Sequence, residues 1–129
     1  MPLVFAGPGV EGLGVREPLV EAIDLGPTFL EMAGLPPMAD VSGRSLTPLL
    51  RGEDSVLHEC VFSEHGQRVM ARTHDWKLVM YLGQPYGELY DLRADPDELH
   101  NLYDDVSARE ARREMVERTM HWYGTTRRR

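Results

Sequence analysis

Residues 58–103 read HECVFSEHGQRVMARTHDWKLVMYLGQPYGELYDLRADPDELHNLY. Apolar and polar residues alternate with a period of two in four stretches of this segment, namely 60–64, 69–73, 76–82 and 88–92. Alternation of this kind, interrupted by short polar turns, is typical of an antiparallel sheet with one buried face. We therefore predict a small four-stranded antiparallel sheet, with His74 and Asp75 at the tip of a two-residue hairpin turn.

The segment that follows the sheet predicts a short turn and then a long helix. Asp95, Pro96 and Glu98 fit the cap, first and third positions of a single helical turn. Ser107 and Glu110 form a second capping pattern, after which apolar residues recur at helical spacing until Gly124. We expect this last helix to cover the sheet, which gives an α+β fold.

Two shorter helices are predicted before the sheet. Asp24 is placed to cap the first, which Gly34 ends, and Ser45 is placed to cap the second over residues 46–51. Apolar side chains occur on both sides of the first helix, so we expect it to be covered on more than one face.

The N-terminal run Leu3, Val4, Phe5, Ala6 is continuously apolar and ends at Gly7-Pro8-Gly9. Such runs are typical of strands buried on both faces of a parallel sheet. Nothing later in the sequence offers parallel partners, so two interpretations stay open. Either these residues form an irregular terminus, or they form a strand of a sheet whose other strands lie elsewhere, in a missing domain or in a second copy.

Composition excludes several classes of protein. A formal charge of −7 over 129 residues argues against a nucleic-acid partner, which needs a clustered positive field. One cysteine excludes an internal disulfide framework and a multi-cysteine metal site. The sequence has no apolar run long enough to span a membrane and no leader segment, so we expect a cytoplasmic chain as given.

Five stretches, in order and at matching spacing, carry a resemblance to a known family. They are 2–10 (PLVFAGPGV), 23–36 (IDLGPTFLEMAGLP), 43–52 (GRSLTPLLRG), 72–78 (RTHDWKL) and 88–102 (ELYDLRADPDELHNL). Together they resemble the C-terminal portion of the sulfatases, members of the alkaline-phosphatase-like superfamily of metal-dependent hydrolases. The resemblance implies that residues 1–57 are a strand and helices left over from a larger α/β domain. It implies that residues 58–129 are the small C-terminal subdomain.

The resemblance also implies which chemical groups the intact enzyme needs. Sulfatases use a formylglycine made from the cysteine of a C-x-P/A-x-R motif, together with a divalent cation, usually calcium. Cys60 does not fit that motif, because Phe62 and Glu64 stand where Pro or Ala and Arg are required. No metal-ligand spacing links the histidines, so we predict no catalytic residue and no metal ligand in this chain.

Five residues are candidates for the edge of the substrate cleft in an intact enzyme. His65 and Gln67 are predicted in the loop between the first two strands, Arg72 and Lys77 flank the hairpin, and His74 is at its tip. Cations there could bind an anionic substrate. The alternative is that Arg72 and Lys77 simply lie on the solvated face of the sheet.

Three hypotheses for function follow. The first is the C-terminal fragment of a sulfuric ester hydrolase, inactive by itself. The second is a fragment of a related phosphodiesterase or phosphonate monoester hydrolase. The third is a free-standing binding or oligomerisation module that associates through Leu3, Val4, Phe5 and Ala6.

Overall fold

The computed structural model describes residues 3–12, 14–53 and 56–126. The chain divides into two compact units, Met1–Glu59 and Cys60–Arg129. The described part contains no helix with the length and apolar character needed to cross a lipid bilayer.

The second unit contains the four-stranded antiparallel sheet that the alternation predicted. Its strands are β1 (Val61–His65), β2 (Arg68–Arg72), β3 (Trp76–Tyr81) and β4 (Gly87–Asp91), and they are hydrogen-bonded in sequence order. Each neighbouring pair is antiparallel. The prediction of an α+β fold built on this sheet is confirmed.

Two tight hairpin turns set the register of the first three strands. Gly66 has a φ of +60°, which glycine adopts without steric cost, so His65 and Arg68 pair directly across a two-residue turn. At the opposite end the Thr73 N–H donates to the Trp76 carbonyl at 2.9 Å, and Thr73 Oγ1 accepts from the Trp76 N–H at 2.9 Å. His74 and Asp75 therefore form the tip of the second hairpin, as predicted.

One face of the sheet packs against the last helix, α3 (Arg109–Thr126). The buried cluster between them consists of Ala71, Leu78, Leu89, Ala108 and Met115. Phe62 of β1 stacks on Trp122 of α3, with ring centroids 4.8 Å apart and planes 6° from parallel. These contacts bury the apolar face that makes the sheet stable in water.

The start and end of α3 differ from the prediction. A 3₁₀ turn over Val106–Ala108 precedes the helix, and the residue that caps this turn is Asp105 rather than the predicted Ser107. The Asp105 carboxylate accepts from the Ser107 N–H at 2.7 Å and from Ser107 Oγ at 2.6 Å. Gly124 does not end the helix, which continues to Thr126.

The segment after β4 forms turns instead of the predicted helical turn. Glu98 has a φ of +56°, outside the helical region, and its side chain pairs with Lys77 instead of reaching back to the cap. Asn101 lies against the open edge of β4, where its amide accepts from the Leu89 N–H and donates to the Gly87 carbonyl, both at 3.0 Å. This loop therefore satisfies backbone groups that an unpaired edge strand would leave exposed.

The first unit is built from short helices. A 3₁₀ turn over Ala22–Asp24 leads into α1 (Leu25–Met32), and α2 (Thr47–Leu50) follows. Leu46, Leu49 and Leu57 form the buried cluster of this unit, with Phe5 packed against it.

Of the two interpretations of residues 3–6, the strand would need a partner from outside the described residues. The described residues supply no strand beside this segment, and a strand needs a neighbour to pair its backbone groups. Residues 3–6 are irregular, and Val4 is largely exposed while Phe5 is half-buried.

Candidate functional site

The five predicted cleft residues lie at two opposite ends of the sheet. His65 was predicted in a loop, but it is the last residue of β1, because the two-residue turn lets the strands continue up to His65 and Arg68. Gln67 lies in that turn, beside Gly66. His74 lies at the other hairpin, past the far end of β2. At about 3.3 Å per residue, the length of β2 separates the two ends by about 13 Å. The structure therefore does not bring the five side chains together.

Arg72 and Lys77 face each other across β2 and β3, on the face opposite α3. Lys77 is half-buried, forms an ion pair with Glu98, and has its Nζ 6.0 Å from the centroid of the Tyr90 ring. Arg72 is exposed, and the described residues place no acidic side chain within ion-pairing distance of it. Two like charges side by side on a sheet repel, and only the charge on Lys77 is compensated here.

A second polar group on this face joins two tyrosines to one carboxylate. The hydroxyls of Tyr81 and Tyr90 both donate to Glu88. The hydrogen bond to Glu88 raises the pKa of Tyr81, while burial and then the same carboxylate raise the pKa of Tyr90. Both hydroxyls are therefore held in the neutral, donating form, which suits them to orient Glu88 rather than to act as bases.

A fully buried polar group of the first unit was not recognised from the sequence. Asp24 is fully buried, and its carboxylate accepts from the backbone N–H groups of Glu21 and Arg44, both at 2.8 Å. His58 Nε2 lies 3.0 Å from each oxygen of the same carboxylate. Asp24 is therefore not the simple helix cap that the sequence suggested, since its side chain reaches back along the chain and joins three separate segments of the first unit.

Two further residues of the resembling stretches complete this buried group. Thr28 Oγ1 donates to the Asp24 carbonyl at 2.6 Å and accepts from the Leu46 N–H at 2.8 Å. The Arg44 guanidinium donates to the Leu57 carbonyl. Two features of the sequence could have indicated this buried group. One is the spacing of Asp24 and Thr28 on one side of α1, and the other is the Gly43-Arg44 pair. Neither signal identifies His58, which comes from a distant segment.

The described residues do not fit the two groups that the sulfatase resemblance implies. Cys60 is half-buried just before β1, packs at the edge of the sheet core, and lacks the Pro or Ala and the Arg of the formylglycine motif. Within 3–12, 14–53 and 56–126, no three His, Cys, Asp or Glu side chains are grouped so as to hold a metal ion. The Asp24 carboxylate accepts from two backbone N–H groups and lies beside His58 Nε2, an arrangement that holds segments of the first unit together.

Comparison with known proteins identifies the family. The family model for the N-sulphoglucosamine sulphohydrolase C-terminal region matches residues 1–123. Arylsulfatase K from Gallus gallus is 38% identical over 118 residues, which cover 79% of this chain and 22% of that protein. The chain thus spans about a fifth of the length of this relative.

Solved structures agree with this match. A Bacteroides thetaiotaomicron structure assigned to the sulfatases superposes with a TM-score of 0.84 at 31% identity, over 96% of this chain and 29% of that one. A phosphonate monoester hydrolase from Silicibacter pomeroyi shares the fold, with a TM-score of 0.79 at 24% identity over 90% of this chain and 27% of that one. By the extent of the family match and by these relatives, the chain belongs to the sulfatases, as a domain of the N-sulphoglucosamine sulphohydrolase C-terminal family.

Proposed function

We propose that this chain acts as the C-terminal domain of a sulfuric ester hydrolase, in which it completes the fold and borders the substrate cleft without supplying nucleophile or metal ligand. The observation that carries the proposal is the family match over residues 1–123, set beside the chain's span of 22% of Arylsulfatase K. In such an enzyme, formylglycine and calcium would supply the nucleophile and the charge that polarises the sulfate oxygens. Neither group fits the residues described above, so both are assigned to the remaining portion of the enzyme.

If this domain borders the substrate cleft, the end of β2 at the His74-Asp75 hairpin is the better candidate of the two ends for contact with substrate. Arg72 and His74 are both exposed there, and no acidic side chain of the described residues pairs with Arg72, so its charge could bind an anionic ester. Lys77 is occupied by Glu98, so its role is to hold the loop after β4 close to the sheet. His65 and Gln67 lie at the far end of β2, where they would border a different part of the enzyme surface.

A phosphonate monoester hydrolase is the second candidate, because one such enzyme shares the fold. Its 24% identity is lower than the 38% of Arylsulfatase K, so sulfate esters are the first substrate class to test.

The test compares the isolated chain with a parent polypeptide that contains it. With added calcium, the chain alone should not hydrolyse 4-nitrophenyl sulfate above the uncatalysed rate. The parent should hydrolyse it faster than 4-nitrophenyl phenylphosphonate, and its upstream reading frame should encode C-x-P/A-x-R. Turnover by the isolated chain, or a parent that prefers the phosphonate, would overturn the proposal in its present form.

A further inference from the structure

A groove of about 800 Å³ lies within the second unit, beside the first half of α3. It is bordered by the loop between β3 and β4, by the segment that leads into α3, and by one face of the helix itself. The apolar part of its lining consists of Pro85, Tyr103, Val106 and Val116. A concave site of about 300–1,000 Å³ with an apolar lining and a few polar groups is typical of sites for small organic molecules.

The wall formed by Tyr103 is held in place by contacts within the chain. A Cβ at residue 87 would lie 2.4 Å from the Tyr103 ring, so Gly87 allows this ring to lie directly against β4. The Arg112 guanidinium lies 5.0 Å from the centroid of the same ring and donates to the Tyr103 carbonyl. Tyr103 and Val116 both pack against the buried cluster between the sheet and α3. Because this wall is already ordered, a ligand that binds there pays little conformational entropy.

Val106 supplies apolar surface that no other part of the described chain covers. It is 85% exposed, and it begins the 3₁₀ turn that Asp105 caps. A ligand with an apolar body gains free energy when it removes this surface from water.

Two of the three arginines in the groove have compensated charges. Arg113 pairs with Glu110 at 2.6 Å and with Glu117 at 2.5 Å. Arg112 is held by the tyrosine ring and carbonyl, and its guanidinium lies 3.6 Å from the Asp104 carboxylate. Neither side chain is therefore available to bind a ligand anion without losing a partner.

Arg109 differs from these two arginines. It is exposed, and among the residues that the structure describes it has neither a hydrogen bond nor an ion pair. It is also the first residue of α3, where the helix dipole favours a negative charge. Glu110 and Glu117 line the same groove and repel any further negative charge. The groove therefore suits a ligand that carries one negative charge.

We infer that this groove binds a small monocarboxylate with an apolar body, whose carboxylate pairs with Arg109 and whose body covers Tyr103, Val106 and Val116. The planar guanidinium of arginine matches a carboxylate with two parallel hydrogen bonds. The inference does not rest on the proposed function, because none of these residues belongs to the five candidates for the edge of the substrate cleft.

Titration of the isotope-labelled full chain with 2-naphthoate, followed by amide NMR shifts, tests the site. The amides of Val106, Arg109 and Val116 should shift and reach saturation. Shifts that do not saturate would overturn the inference, and so would saturable shifts confined to Arg72 and His74, which would place the anion at the hairpin tip.

A neutral ligand and a charge variant test the role of Arg109. The uncharged 2-naphthamide should bind about 10-fold more weakly than 2-naphthoate, as expected for the loss of one charge-assisted hydrogen bond, and Arg109→Gln should weaken 2-naphthoate binding by a similar factor. Arg118→Gln is the matched control, because it removes a positive charge from the same helix outside the groove, and it should change nothing. Equal binding of the two ligands, or equal effects of the two variants, would overturn the inference.

A substitution in the apolar wall tests where the body of the ligand lies. Val106→Asp replaces an exposed apolar side chain by a negative charge, so it should weaken 2-naphthoate binding by about 10-fold or more while the unfolding midpoint stays the same. Val15→Asp makes the same change at a residue that is 89% exposed and lies in the first unit, and it should leave binding unaltered. Unaltered binding by Val106→Asp would show that the ligand does not occupy this groove.

Discussion

At the scale of single residues, Asp24 shows how one buried charge can organise a unit that has little apolar core. Its carboxylate accepts from Glu21, Arg44 and His58, which come from three separate segments. A buried carboxylate is tolerated only when its hydrogen bonds are complete, and removing the carboxylate leaves its donors without an acceptor. The sequence shows Asp24 before an apolar helical stretch, which is the pattern of a cap, so only the tertiary contacts reveal its larger role.

We predict that Asp24→Ala lowers the free energy of unfolding of the chain by about 3 kcal/mol. The substitution leaves two backbone N–H groups and the His58 ring without an acceptor in a buried site. Urea denaturation followed by circular dichroism measures the change. Asp97→Ala is the control, since Asp97 is exposed, and it should leave the unfolding midpoint within error. A similar loss in both variants would show that Asp24 has no special role.

Gly43 is needed because the chain passes very close to Ile23. A Cβ built at Gly43 would lie 2.2 Å from the Ile23 carbonyl oxygen and 2.7 Å from its carbon. Backbone atoms cannot move aside cheaply, so Gly43→Ala should destabilise the chain by about 1–3 kcal/mol. Gly12→Ala makes the same chemical change where no atom lies within 4 Å. Thermal unfolding of the two variants should therefore differ, and equal melting temperatures would contradict the close approach.

At the scale of elements, the sheet was predictable because its signal is local and repeated. Alternation over 60–64, 69–73, 76–82 and 88–92 gave strands that differ from the observed ones by about one residue at each end. The turn after β4 was not predictable in the same way. Asp95 and Glu98 carry a good capping pattern, but the ion pair between Glu98 and Lys77, which are distant in sequence, outweighs it. A tertiary contact can override the local preference for a helical turn.

The cap of the 3₁₀ turn that leads into α3 gives a pH dependence that can be measured at one position. The hydrogen bonds from Ser107 lower the pKa of Asp105 below its ordinary value of 3.8. A carboxylate with a lowered pKa in the folded state stabilises that state above its unfolded pKa, and the stabilisation is lost as the pH falls through the folded pKa. The N-terminus of α3 should therefore begin to fray as the pH falls below about 4.

The amide resonance of Ser107, followed by NMR from pH 6 to pH 2, measures this loss. Asp105→Asn should remove the titration, because an amide side chain does not ionise. Asp104→Asn is the neighbouring control, since Asp104 is 90% exposed and does not cap the helix. A Ser107 titration that persists in Asp105→Asn would assign the effect to another group.

At the scale of the whole molecule, the sequence identified the family better than it identified the site. Sheet, helix order and family all follow from patterns that are spread along the chain, so errors at single positions do not affect them. The candidate site depended on where separate loops meet. His65 and Gln67 were grouped with His74 because the sequence places all three near hairpin turns, yet consecutive hairpins of an antiparallel sheet lie at opposite ends.

This geometry leads to a prediction for the parent enzyme, because the two ends of β2 lie about 13 Å apart and can be tested by separate variants. If the hairpin tip borders the cleft, Arg72→Ala combined with His74→Ala should raise KM for an aryl sulfate by about 10-fold, which corresponds to the loss of one charge-assisted hydrogen bond of about 1.5 kcal/mol. Arg72→Lys should recover part of the loss, since it restores the charge but not the planar fork of donors. His65→Ala combined with Gln67→Ala changes the opposite end and should leave KM unchanged.

Steady-state kinetics on the three variants, with unfolding curves to confirm equal stability, shows which end of β2 borders the cleft. A larger effect at His65 and Gln67 would place the cleft at the other end, and no effect at either end would leave Arg72 as a solvated residue on the outer face.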